Sequence, residues 1–420
     1  MPANIKKALL SHNLQLNRIT EFFLWGLLLV IPVSYITAAR EIFTFLTLGG
    51  VIVLMVIGLR RLQADRIWIM WLVFFVVACI SLCNAVDLYY SINIIRRDLL
   101  KGTLMFFLGL YALGSARALV RFWWVLFLGI AIMGVCGVVF FLPKIINADS
   151  WRLIAYGRAS SLSVGYGHFA TYLSIIAPYL MIMPLALAFR NKFAWLLWAM
   201  VMLCMLLSAY FTSSRILWLA IPLAAILFFW LMSRKRFLVA ILGIALLATA
   251  SVTIIFFPEH SHGEKWGRFL QDPQAVGGTA GDLAKLWAYS YDKLEDNPFM
   301  GVGFGKESFV KAYPDFLIGE NPALRHTHNV FVDYAVQMGI QGALVLLVFL
   351  VILIKNFWPK IPSPRGDVGA CFRMATLIMI FSFMLRNQVD EYFIDDGMLL
   401  FWLLVGLAWA TRYWKDNKAV

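Results

Sequence analysis

Two histidines stand two residues apart in Arg325-His326-Thr-His328-Asn329, where a long polar segment gives way to a long apolar run. Histidine changes charge near neutral pH, so either ring suits general-base proton transfer. The pair makes a weaker metal site, because His-Thr-His lacks helical i, i+4 spacing and no acidic partner is close in sequence. Arg325 flanks the pair, and Arg268 and Lys285 stand upstream in the same polar segment. As a set converging on His326 and His328, these cations suggest an anionic ligand.

A second group of cations lies outside that segment. Arg215 sits in Phe-Thr-Ser-Ser-Arg-Ile-Leu-Trp, a very short connection between two apolar runs. A guanidinium at membrane level costs on the order of a few kcal/mol unless it pairs or meets water. Arg215 therefore faces the bundle interior or a wet cavity, or snorkels at a helix end. Its planar fork can bond two phosphate oxygens together, which makes an anion clamp the functional reading. Arg158 heads Arg-Ala-Ser-Ser-Leu-Ser-Val-Gly-Tyr-Gly-His168. Small residues there let backbone amides approach a ligand; a plain interfacial loop is the alternative, and His168 reads as a packed or capping residue. Asp390, Glu391, Asp395 and Asp396 cluster beside Arg386, either as a solvated turn or as partners for basic residues.

The elements that must position these groups follow from composition. Of 420 residues, 62% are hydrophobic and 14% charged, against roughly 25% charged in water-soluble domains. Apolar runs of about 17–25 residues can each cross a bilayer as a helix, and the alternation of a membrane β-barrel is absent. The expected fold is all-α and polytopic, with about twelve transmembrane helices in a single membrane domain. The spans centre on Glu21–Ala39, Ile42–Leu59, Ile67–Asn84, Leu99–Gly114, Phe122–Leu142, Gly167–Phe189, Phe193–Phe211, Ile216–Met232, Phe237–Phe257, Val330–Ile354, Val368–Leu385 and Ile394–Thr411. Five cysteines all fall in apolar runs, so neither a disulfide framework nor a zinc site is expected.

Basic residues concentrate on the side of the two termini, which the positive-inside rule makes cytoplasmic. The segment 258–327, between the ninth and tenth spans, then lies outside. Arg40, Arg96, Arg97, Lys101, Lys144, Arg152, Arg158, Arg215 and Arg386 are the outer cations this rule does not explain. Within 258–327, Leu283, Leu286, Trp287, Tyr291 and Leu294 recur at three- and four-residue spacing and predict a helix over Asp282–Asn297. Asn297-Pro298 ends it, and Gly301-Val-Gly-Phe-Gly305 makes a turn. That glycine run follows no strand and lacks dinucleotide-binding spacing.

Four of these features together resemble the O-antigen ligase and polymerase family: Arg158 in its small-residue stretch, Ser-Ser-Arg215, the loop helix leading to Asn297-Pro-Phe-Met-Gly-Val-Gly-Phe-Gly305, and His328-Asn329 with Gly339 and Gly342. The resemblance runs over roughly Arg158 to Gly342. It implies twelve helices, a long periplasmic loop, and a location in the bacterial inner membrane with the site facing the periplasm. It also implies a metal-independent glycosyl transfer with no nucleotide or cofactor. A glycan would leave undecaprenyl diphosphate for a sugar hydroxyl of lipid A–core, the two substrates being the partners. By that analogy His328 is the base, with His326 and Asn329 in support. Arg215, Arg158 and a loop cation (Arg268, Lys285 or Arg325) hold the diphosphate. Family loops often carry arginine where this chain has Lys285, which offers only a point charge. Polymerase and protein O-oligosaccharyltransferase are alternatives within the family.

The rival from another class is a twelve-span transporter, expected to show repeated halves and polar residues near the midplane; here the unusual polar residues gather at one surface. The net charge of +13 argues for no nucleic-acid role, because the surplus lies mostly in cytoplasmic flanks.

Overall fold

A computed structural model describes residues 3–146, 158–232, 279–319, 324–359, 365–388, 393 and 395–414, and the regular elements among them are helical. The chain opens with α1 (Ala3–Val30) and α2 (Thr37–Val56). Between them Pro32 lacks an amide proton and restricts Ile31, so the first helix stops at Val30. α3 (Ile67–Ile80) runs on through a 3-10 turn to Asn84. α4 (Leu88–Ile94), capped by Asp87, passes without a break into a π-helical segment, Ile95–Leu100, and then into α5 (Lys101–Ala112). There follow α6 (Ala116–Ile146), α7 (Tyr166–Ala186), α8 (Lys192–Phe211) and α9 (Arg215–Met232).

α10 (Thr279–Asp296), α11 (Glu307–Ala312) and α12 (Pro314–Gly319) belong to the polar segment. The last four helices are α13 (Val330–Met338), α14 (Ile340–Phe357), α15 (Val368–Arg386) and α16 (Asp395–Ala410).

Among the described residues, seven helices are long and apolar enough to cross a membrane: Thr37–Val56, Ile67–Asn84, Ala116–Ile146, Tyr166–Ala186, Lys192–Phe211, Ile340–Phe357 and Val368–Arg386. Several apolar helices of this kind make a multi-pass membrane protein. Five of the twelve expected spans are not among them. The Glu21–Ala39 span is cut at Pro32. The Leu99–Gly114 span is a twelve-residue α-helix preceded by the π segment. Ile216–Met232 falls just short in length, α16 has 16 residues, and Phe237–Phe257 lies outside the described residues. The Val330–Ile354 span is two helices, because Gly339 takes φ 79° and ψ 173° between α13 and α14. Only glycine holds that conformation without strain.

The core sits where α5, α7, α15 and α16 meet. α16 packs on α5 and α15 on α7 in the two most extensive helix contacts. Gly109 and Gly406 face each other's helices so closely that a Cβ on either would strike backbone: Leu403 from Gly109, Phe106 from Gly406. Small residues of this kind let membrane helices approach and gain dispersion contact. A layer of aromatic rings fills the space alongside: Trp71 lies 4.5 Å from Trp402 and 5.2 Å from Phe349. Buried hydroxyls are satisfied locally, as where the Tyr179 and Thr376 oxygens meet at 2.7 Å. By contrast α2, α3 and α8 leave Phe45, Leu72 and Leu203 exposed, apolar faces suited to lipid.

Candidate functional site at one end of the bundle

The histidine segment is built on the first turn of α13. Asn329 is its N-cap: Oδ1 accepts from the backbone N–H groups of Phe331 (3.0 Å) and Val332 (3.2 Å). Such a cap is worth about 1 kcal/mol. The Asn329 amide nitrogen also donates to the Gln388 carbonyl (3.3 Å) and side-chain oxygen (3.2 Å), and Val330 N–H donates to Asn387 O at 3.0 Å. The histidine loop is thereby tied to the C-terminal end of α15.

Asp333, one turn into α13 and 1% exposed, supports the loop from below. Its Oδ1 accepts from Thr327 N–H at 3.0 Å, and its Oδ2 lies 3.2 Å from His326 Nδ1. The His328 amide nitrogen is also 3.2 Å from that Nδ1. One ring atom cannot serve both, so Nδ1 either donates to the carboxylate or accepts from the amide, according to tautomer. The two imidazoles stack with centroids 4.0 Å apart and 25° between planes. His328 holds a left-handed φ of 56°, sparsely populated for non-glycine residues and frequent at functional sites. No acidic partner close in sequence was expected for the histidines; the structure supplies one in Asp333, seven residues after His326. An acid in the apolar run Val-Phe-Val-Asp-Tyr-Ala-Val was the available signal, since a carboxylate placed on a buried face needs partners.

α10 reaches the loop through Trp287, whose indole N–H donates to Thr327 O at 2.8 Å. Leu286 beneath it packs in a small core with Phe309, Phe316, Leu324 and Val336, and Ser290 Oγ donates to Leu286 O. The expected loop helix over Asp282–Asn297 is thus present with nearly the same bounds, and it carries Lys285 to this end of the bundle. The glycine turn is also present. Gly301, Gly303 and Gly305 all take positive φ. Val302 and Gly303 N–H donate to Val336 O and Gln337 O, and Gly305 N–H donates to Gln337 Oε1. The turn therefore braces the C-terminal end of α13. It does so against α3 and α4, through Asn84 donating to Gly301 O at 2.8 Å and Val86 N–H to Val302 O.

The remaining cations fall in three groups. Arg158 and Arg215 are brought together through backbone: Ala159 N–H donates to Phe211 O at 2.9 Å, and Arg215 opens α9 four residues later. The exposed Arg158 guanidinium lies 4.4 Å from the Tyr166 ring centroid; the Arg215 side chain is outside the described part of the structure. Serine bonds hold the segment after Arg158, with Ser161 Oγ donating to Met133 O at 2.7 Å and Val164 N–H to Ser34 Oγ at 3.0 Å. His168 stands in the first turn of α7 and lines a small cavity with Ser34, Ser163 and Asp396. Arg325 is exposed beside a buried His326, while Arg268 and Arg152 lie outside the described residues, as do Asp390 and Glu391. The third group is engaged with acids: Arg40 pairs with Asp396, Lys101 with Glu41 and Arg97 with Asp98. Arg386 is buried at the end of α15.

One end of the bundle therefore carries a stacked histidine pair on an aspartate, with the backbone of Arg158 and Arg215 linked through the Ala159–Phe211 bond. Residues 200–347 match a family model, Wzy_C, described as O-Antigen ligase. That stretch is similar to the O-antigen ligase domain. The domain spans Arg215, α10, the glycine turn, His328 and Gly342, whereas Arg158 lies before it. Members of the O-antigen ligase family transfer glycans, and lipid-linked glycans are their substrates. No curated protein matches the chain.

Proposed function

We propose that this protein is an O-antigen ligase, moving a glycan from undecaprenyl diphosphate to a sugar hydroxyl of lipid A–core. His328 takes the proton from the acceptor hydroxyl as its oxygen attacks the anomeric carbon. The bond from that carbon to the diphosphate oxygen breaks, and undecaprenyl diphosphate leaves. Arg215, Arg158 and a loop cation (Lys285, Arg325 or Arg268) hold the diphosphate and stabilise the charge that grows on it. His326 and Asn329 keep the His328 segment in register. The step needs no metal and no nucleotide. The reaction takes place at the periplasmic face of the inner membrane, in a chain of about twelve spans with both termini cytoplasmic and 258–327 outside.

The observation that carries this reading is the convergence, at one end of the bundle, of a histidine loop braced by Asp333 with the backbone of two arginines suited to phosphate. The test is transfer in vitro from undecaprenyl-diphosphate glycan to lipid A–core in the presence of EDTA. Wild type should form product, while His328→Ala and Arg215→Ala should lose at least about a hundredfold with unfolding midpoints unchanged. Elongated lipid-linked glycan with unmodified core would make the protein a polymerase instead. Full activity in His328→Ala would remove the base.

A further inference from the structure

A cavity of about 510 Å³ opens between α2, the π-helical segment and α5. None of its lining residues belongs to the histidine site or to the matched domain. Its lining combines four cations, Arg40, Arg96, Arg97 and Lys101, with apolar Leu104 and Leu399. Beside it Ile42, Phe45 and Leu100 are exposed. Cations above an apolar, outward-facing surface match an amphiphile with a negative head.

The acids near this cleft equal its cations in number, so net charge does not select the ligand. Lys101 Nζ donates to Glu41 at 2.6 Å, Arg97 Nε to Asp98 at 2.9 Å with Asp395 3.8 Å away, and Arg40 pairs with Asp396. These pairs fix the side chains and leave guanidinium donors over. Arg40 Nε is buried and meets no acceptor among the described residues, an unmet donor that calls for a partner. Arg96, exposed, bonds among the described residues to neutral Asn93 at 2.8 Å. Both arginines line the same cavity. Arg96 and Arg97 stand on a π-helical segment, a feature found mostly as a local insertion at functional sites.

We propose that this cleft binds the phosphate of an anionic lipid, which accepts hydrogen bonds from Arg40 and Arg96 while the acyl chains lie along α2 and the π segment. The phosphate belongs either to a bulk membrane phospholipid or to a phosphorylated glycolipid, and the assignment does not rest on the ligase reading. The experiment is native mass spectrometry of the full-length protein in detergent. The probes are phosphatidylglycerol, a diphosphorylated lipid A disaccharide, neutral diacylglycerol and inorganic phosphate. Arg96→Gln and Arg40→Gln should each reduce anionic-lipid retention about tenfold, the loss of one charge-assisted hydrogen bond. Arg66→Gln, exposed at the opposite end of the bundle, should match wild type. If Arg40→Gln does not fold, the exposed Arg96 position decides alone. Preference for the disaccharide names a glycolipid as occupant, and preference for phosphatidylglycerol names bulk phospholipid; both uphold the site. Equal retention in wild type and Arg96→Gln, equal retention of diacylglycerol, or capture of inorganic phosphate without lipid would overturn it.

Discussion

At the scale of single residues, Asp333 organises the histidine loop. One carboxylate meets both the Thr327 amide and the His326 ring, so removing it takes the acceptor from a buried amide and the neighbouring charge from the ring. Asp333→Ala should cost about 1–3 kcal/mol and lower transfer together with the thermal midpoint. Asp333→Asn keeps an oxygen for Thr327 and should recover most of the stability, as thermal unfolding of the purified variants will read. Asn329 was expected only in support of His328, although its capping bonds are local and reach no further than three residues. Asp333 was not legible in the sequence, because its partner is met only once the loop folds back over the helix. The cations were half legible. Their types suggested anion binding, but chain order does not say that Arg40, Arg97 and Lys101 meet acids while Arg158 meets the Tyr166 ring.

Among the elements, the junction of α13 and α14 sets the height of the histidine loop. Gly339 carries a conformation reserved for glycine, and a Cβ there would strike the Phe299 carbonyl. Ile340 N–H donates to Pro298 O at 2.8 Å, and the Gln341 side chain donates to Phe299 O. The glycine turn after α10 is thus bonded across the break. Gly339→Ala should destabilise the protein by about 1–3 kcal/mol from backbone strain alone. It should also raise exchange of the α13 amides, measured by hydrogen–deuterium exchange. A hydropathy window reads straight through this break because α13 and α14 are both apolar, whereas the amphipathic α10 was legible from its apolar positions. The π segment escaped for a related reason. One extra residue per turn leaves no mark on composition.

For the whole molecule, the end opposite the histidines is closed by Asp65, in the turn between α2 and α3. Burial pushes its carboxyl upward, but the Tyr413 hydroxyl, the Ile67 amide, the Trp409 indole and the Arg412 guanidinium outweigh that and hold it below the usual carboxylate range. A depressed carboxylate contributes stability that is present above its unfolded value, near 3.9, and is lost as pH falls through the folded one. The thermal midpoint should therefore drop as pH falls below about 4, and Asp65→Asn should flatten that limb while lowering the midpoint at pH 7.

The Gly109–Gly406 crossing has a mechanical consequence. Two helices in backbone contact can neither slide past one another nor rotate without collision, so α5 and α16 behave as a stator. Any displacement within the bundle must then be borne by parts hung on that pair.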